Sequence, residues 1–256
     1  TGNKFEFRML GSAFSIAGPI IVLNTIISEV LSQFADELEN STDFKGDLSK
    51  LIIRTIKNHK RIIFNGNGYD ASWVKEAEQR GLSNLKTTPE ALPALINPKN
   101  VDMFVRHGVF TKHELHSRYE ILLENYSKTI NIEALTMMDM VNKQVIPAVI
   151  GYQKELAELI LHKKAIRANI ETSLEENLLN RISKLSLLME KRLNNLAEQT
   201  LAVRELKDNM AIARAYRERV YMAMIELRLI VDELEMLISS RYWSIPTYTE
   251  ILNSVL

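Results

Sequence analysis

The chain has no cysteine among its 256 residues. That excludes a disulfide framework and a thiolate metal site, and it agrees with a reducing compartment. It has no excess of either charge: 32 basic residues balance 32 acidic ones. Nothing in that balance suggests a broad electrostatic footprint for nucleic acid, which needs a basic surface. Long apolar runs are also scarce. The longest, Ile16 to Val30, is interrupted by Asn24, Thr25, Ser28 and Glu29. No segment is expected to cross a membrane, and no signal peptide pattern opens the chain. Glycine and proline are few, at 9 and 6, and neither occurs between Tyr152 and Ser240. A stretch that long without a backbone breaker favours extended helices over turn-rich β structure.

What is present fits that expectation. The composition, 46% hydrophobic and 25% charged, is ordinary for a globular chain of one large or two smaller domains. Thr1 to Met9 reads as a strand. Gly18-Pro19 is a helix-start signal, and Pro19 to about Asn40 reads as a buried helix with Ile20, Leu23, Ile27, Val30, Leu31 and Phe34 at helical spacing. Glu29, Gln33 and Asp36 mark its wetter side. Asp47 to Lys60 reads as a second helix with Leu48, Leu51, Ile52, Thr55 and Ile56 on one face. Asp70 is placed to cap a short helix that Gly81 ends, Pro89 and Pro98 open two more, and Thr111 caps a long one. Pro147 is expected to kink or interrupt that last run.

Two long amphipathic patterns follow. One, over 176–204, sets Ile182, Leu185, Leu188, Met189, Leu193 and Leu196 on one stripe. The other, over 216–238, does the same with Val220, Ala223, Leu227, Val231 and Leu234. Charged residues fill the remaining faces. The pattern predicts an antiparallel helical bundle or hairpin, with breaks near 168–172 and 207–209. Trp243, Pro246 and Tyr248 should form a terminal hook docked on the protein body.

The opening segment holds the candidate chemistry. In Lys4-Phe5-Glu6-Phe7-Arg8, strand alternation puts Lys4, Glu6 and Arg8 on one face and the two phenylalanines on the other. A carboxylate between two cations can hold a metal ion and phosphates. A solvated edge strand shows the same alternation, and the spacing alone does not choose between them.

The wording of the segment adds more. Lys4-Phe5-Glu6-Phe7-Arg8-Met9-Leu10-Gly11-Ser12, with Ser15-Ile16-Ala17-Gly18-Pro19 after it, closely resembles the late catalytic region of glutamine synthetases, and most closely the long type III class. Arg61 to Tyr69, Leu85 to Pro93, His116 to Tyr126, Lys128 to Met137 and Arg241 to Tyr248 continue the resemblance in order. The resemblance implies a mostly α chain. A short β-strand remnant of the α+β catalytic domain would be followed by helices and a long antiparallel helical bundle. The catalytic part would cover 1–140 and an appended helical module 141–256. By the same resemblance, Glu6 is a ligand of the metal that bridges nucleotide phosphates, Arg8 is catalytic at the transferred phosphoryl group or substrate carboxylate, and Lys4 lies near the phosphates. The implied cofactors are ATP and Mg²⁺ or Mn²⁺. The implied substrates are glutamate and ammonia. The implied state is a cytoplasmic homo-oligomer, a dodecamer of stacked rings, with no nucleic acid or membrane partner. Met9-Leu10 stands where the better-known family pattern has Pro-Asp. The chain begins at Thr1 directly on the strand, which reads as the C-terminal part of a longer polypeptide that is inactive by itself.

Other features weigh less. Asn65-Gly66-Asn67-Gly68 lacks the Lys-Ser/Thr of a phosphate-binding loop and reads as a structural turn. His113 and His116 share a helix face but have no third ligand nearby, so they read as surface or packing residues. Two rival readings stand beside the ligase. One is a non-catalytic helical oligomerisation or adaptor module. The other is a related ligase joining another amine to glutamate, or a catalytically dead relative.

Overall fold

The computed structural model describes residues 14–246 and 248–254, and these are mostly helical, with no strand among the described residues. The strand expected over Thr1–Met9 lies outside them. The chain divides into two compact units, one up to Tyr119 and one from Glu120 onward.

The first unit contains α1 (Ala17–Leu38), α2 (Phe44–Asn58), α3 (Ala71–Gln79), α4 (Thr88–Ala91), α5 (Pro98–Arg106) and the start of α6 (Lys112–Met140). Short 3₁₀ turns occupy Lys60–Ile62 and Leu92–Ile96. Its helices start where local side chains satisfy free backbone N–H groups. Asp43 accepts from the Gly46 amide at 3.2 Å, Asp70 from Ser72 at 2.8 Å and Asn97 from Lys99 at 3.1 Å. Thr111 and Glu114 cap reciprocally: the Thr111 amide donates to Glu114 Oε2 at 2.8 Å, and the Glu114 amide donates to Thr111 Oγ1 at 3.2 Å. Helices α3 and α5 stop at Gly81 and Gly108, whose φ values are +73° and +62°. The Leu82 and Val109 amides then reach back to the Ala77 and Phe104 carbonyls at 2.9 and 3.0 Å. A small core joins Val101, Phe104 and Leu115, with Phe110 tilted against Phe104 at 5.5 Å.

Expectations for two helices of this unit are corrected. Helix α1 is not buried. Thr25 is its one fully buried residue, while Ile20, Ile27 and Leu31 are 45%, 55% and 59% exposed. Its packed side turns Thr25 and Glu29 inward, and Glu29 was expected on the wet side. Its composition also qualifies it as a bilayer-crossing length: a window within Ala17–Leu38 has mean hydropathy 1.3, so the polar interruptions do not shorten it as expected. Helix α2 begins three residues earlier than expected, because Asp43 caps it. Of the predicted face only Leu51 is fully buried, and Ile52 and Ile56 are about half exposed.

The second unit continues α6, then adds α7 (Ile146–Ile166), α8 (Ser173–Val203), α9 (Asn209–Ala215), α10 (Tyr221–Glu235) and α11 (Tyr248–Asn253). Wide π turns at Val141–Val145 and Tyr216–Val220 interrupt the helical run. The first has a plain cause. Pro147, early in α7, offers no N–H, and its ring collides with the carbonyl four residues back, so the preceding turn opens. Partners on α7 and α8 run in opposite numerical directions. Gln153 donates to Ser183 at 3.1 Å, and Lys163 meets Glu175 at 2.5 Å. The same holds for α8 and α10, where Arg181 pairs with Glu233 at 2.7 Å and Arg192 with Glu226 at 2.6 Å. The two pairs between α8 and α10 are largely exposed and set register more than stability.

Burial supplies the stability. Ile182, Leu196, Val220, Leu227 and Leu234 are completely excluded from water, in one core with Val145, Val149 and Leu156. Each such aliphatic side chain contributes about 1.5–3 kcal/mol. Leu188, expected in the stripe, is instead 36% exposed. After α10 the chain hooks back. The Tyr242 ring lies so close to Gly151 that a Cβ there would sit 2.9 Å from it, and it tilts against Tyr152 at 5.8 Å. Trp243 and Ile245 pack on the same core.

Candidate functional site

The residues on which the chemistry was expected, Lys4, Glu6 and Arg8, lie outside the described residues. Their roles therefore rest on the resemblance. Downstream of them, the first unit is described from residue 14, and its first helix, α1, is fixed to α5 by a set of polar contacts.

Those contacts centre on one carboxylate. Glu29 Oε2 lies 2.8 Å from His107 Nε2, Arg106 Nη1 donates to Oε1 at 2.5 Å, and Gln33 Nε2 donates to Oε1 at 2.7 Å. The Glu29 side chain is 14% exposed and that of His107 is 20% exposed. The hydrogen bond from His107 does most to hold the Glu29 carboxyl below the usual range, followed by that from Gln33, with the Arg106 charge adding to them. Two of these partners, Arg106 and His107, come from the end of α5, so the Glu29 carboxylate ties α1 to α5. The sequence offered no signal for the contacts of Glu29 with Arg106 and His107, because these stand 77 and 78 residues away and periodicity connects only near neighbours.

The Asn65–Gly68 loop is a braced turn. Asn67 Oδ1 accepts from the Tyr69 amide at 3.1 Å. Phe64 stacks on Trp73 with ring centroids 3.8 Å apart, and a Cβ on Gly66 would meet the Phe64 ring at 2.6 Å. Arg80 ties the base of the loop, donating to the carbonyls of Ile63 at 3.0 Å and Arg61 at 3.2 Å and pairing with Glu76. The Asn67 side chain is committed to the turn itself.

Among the described residues, no group of three or more His, Asp or Glu side chains could hold a metal ion. His113 and His116 stand in the first turns of α6.

A helical chain with these caps and an ordered set of family motifs has clear relatives. Residues 47–164 match the glutamine synthetase C-terminal domain, and the chain belongs to the glutamine synthetase family. It is 40% identical, over its whole length, to a glutamine synthetase of Butyrivibrio fibrisolvens. It is 35% identical, over 98% of its length, to a type-3 glutamine synthetase of Dictyostelium discoideum. A glutamine synthetase of Bacteroides fragilis is 28% identical over 98% of the chain. The chain spans 37%, 35% and 36% of the lengths of these relatives. The type III resemblance seen in the sequence motifs accords with these matches.

Proposed function

We propose that this chain is part of an ATP-dependent glutamate–ammonia ligase. The observation that carries this reading is the 40% identity maintained over the whole chain to a protein named glutamine synthetase. In the proposed reaction the γ-carboxylate of glutamate attacks the terminal phosphorus of ATP. A new carboxyl–phosphate bond forms, the bond to the bridging oxygen breaks, and ADP leaves. Ammonia then adds to the activated carbonyl carbon, phosphate departs, and a proton is lost to give the amide.

Each expected side chain has a physical task in that scheme. Glu6 offers a hard carboxylate oxygen to a divalent cation, Mg²⁺ or Mn²⁺, whose chemistry is to neutralise phosphate charge. Arg8 presents a planar fork of donors to an oxyanion that changes shape during transfer. Lys4 adds a point charge beside the phosphates. Phe5 and Phe7 would back this face as a rigid support.

The helices of 141–256 carry no chemical motif of their own. We read them as an antiparallel bundle appended to a catalytic part over 1–140 and serving assembly, with a stacked-ring dodecamer in the cytoplasm as the proposed state. Their size and the continuity of their apolar core support that reading. An adaptor without catalysis is the alternative that the same helices favour.

The test is ADP release by the full-length protein with glutamate, ammonia and Mg²⁺, compared with the Glu6→Ala variant. Release should require both substrates and fall on the order of a hundredfold in the variant. Release that ignores ammonia would point to another glutamate–amine ligase. No release from folded protein would favour the adaptor.

A further inference from the structure

A cavity of about 340 Å³ opens in the second unit between α6, the end of α8, and α9. Its floor is apolar, with Val203 at 1% exposure and Ile212 beside it. Tyr216 reaches it from the second π turn. This ring is 7% exposed, and its hydroxyl donates to Asn131 Oδ1 at 3.1 Å. Burial raises the Tyr216 pKa, so the phenol stays a neutral donor.

That hydrogen bond fixes the orientation of Asn131. With Oδ1 occupied by Tyr216, the two N–H groups of Nδ2 remain available at the cavity wall. Arg204, just past the end of α8, lines the same cavity and forms no ion pair among the described residues. On the α6 side, Lys128 and Glu124 face each other at 3.1 Å, both more than half exposed. An ion pair this exposed is worth little and exchanges partners readily.

These groups have a definite complement. Donors of positive or neutral character (Arg204 and the Asn131 amide) suit a carboxylate. Glu124 suits an ammonium. The apolar floor suits a short side chain. The volume lies within the range of small-molecule sites, which are apolar pockets with a few convergent polar groups. We propose that this cavity binds a free α-amino acid, its carboxylate held by Arg204 and Asn131, its ammonium by Glu124 and its side chain on Val203 and Ile212. The site includes none of the expected catalytic residues, so the proposal does not depend on the ligase reading.

The test is calorimetric titration of the full-length protein with L-glutamine and L-alanine, with propionate as the probe that lacks the ammonium. Saturable millimolar or tighter binding is expected for an amino acid. Binding should weaken about tenfold in Arg204→Leu and again in Glu124→Gln, as expected for loss of a charge-assisted hydrogen bond. Both positions are solvent-exposed, so the variants should keep the wild-type circular dichroism. Propionate should bind more weakly than L-alanine. Absence of binding to folded protein would overturn the proposal, as would binding unchanged in both variants. Equal affinity for propionate would overturn the amino-acid assignment.

Discussion

His107 Nε2 and Glu29 Oε2 lie 2.8 Å apart, and this contact fixes the end of α5 to the middle of α1. Glu29 is held below the ordinary glutamate range by His107 first, then Gln33, then the charge of Arg106. A carboxyl with a depressed folded-state pKa contributes stability above its unfolded pKa, and that contribution disappears as pH falls through the folded value. Glu29→Gln should therefore be less stable than the parent at neutral pH, and the gap should close in acid, below the usual glutamate range. Urea denaturation at a series of pH values measures it. A gap that stays constant with pH would show that the charge of Glu29 is not what the contact uses.

Leu227 and Leu196 are both fully excluded from water, and Leu187, on the same α8 as Leu196, is 70% exposed. Leu227→Ala or Leu196→Ala should each cost about 2–5 kcal/mol, the transfer loss plus the cavity left behind. Leu187→Ala should stay within about 0.5 kcal/mol of the parent. Denaturation midpoints of the three variants settle the matter. Equal effects would mean that the helices do not share the core described.

The contrast between those leucines shows why some of the structure was legible in the sequence. A long helix with water on one side writes its burial as a repeat, so Ile182, Leu185, Met189 and Leu193 fall inside as their spacing predicts. Caps are equally legible, since Asp70, Thr111 and Gly81 act on backbone groups two to five residues away. Helix α1 was misread for a physical reason. Periodicity identifies an apolar face, but it does not say which neighbour covers that face, and Ile27 and Leu31 are exposed in the described unit. The Glu29–His107 and Tyr216–Asn131 contacts join residues 78 and 85 positions apart and leave no mark in any local pattern. The expected site at Lys4, Glu6 and Arg8 owed most of its weight to family wording, because a solvated sheet edge carries a Glu-x-Arg pair just as readily as a metal site does.

Gly151 is the position at which a single methyl group tests the terminal hook. A Cβ built there would stand 2.9 Å from two carbons of the Tyr242 ring, closer than van der Waals contact allows. Gly151→Ala gains about 1 kcal/mol of helix propensity within α7. It also forces the ring aside, at a cost of about 1–3 kcal/mol for overpacking. The net change in stability should be small, while the hook itself should shift. Trp243 follows Tyr242 directly, and its indole nitrogen is buried without a hydrogen-bond partner among the described residues. Displacing the hook gives that N–H access to water, which relieves an unsatisfied donor and favours the open position. The part of the tryptophan emission that a Trp243→Phe substitution removes should therefore move to longer wavelength in Gly151→Ala, with the helical circular dichroism retained. An unshifted spectrum would mean that Tyr242 accommodates the methyl by rotating in place and that Gly151 does not gate the hook.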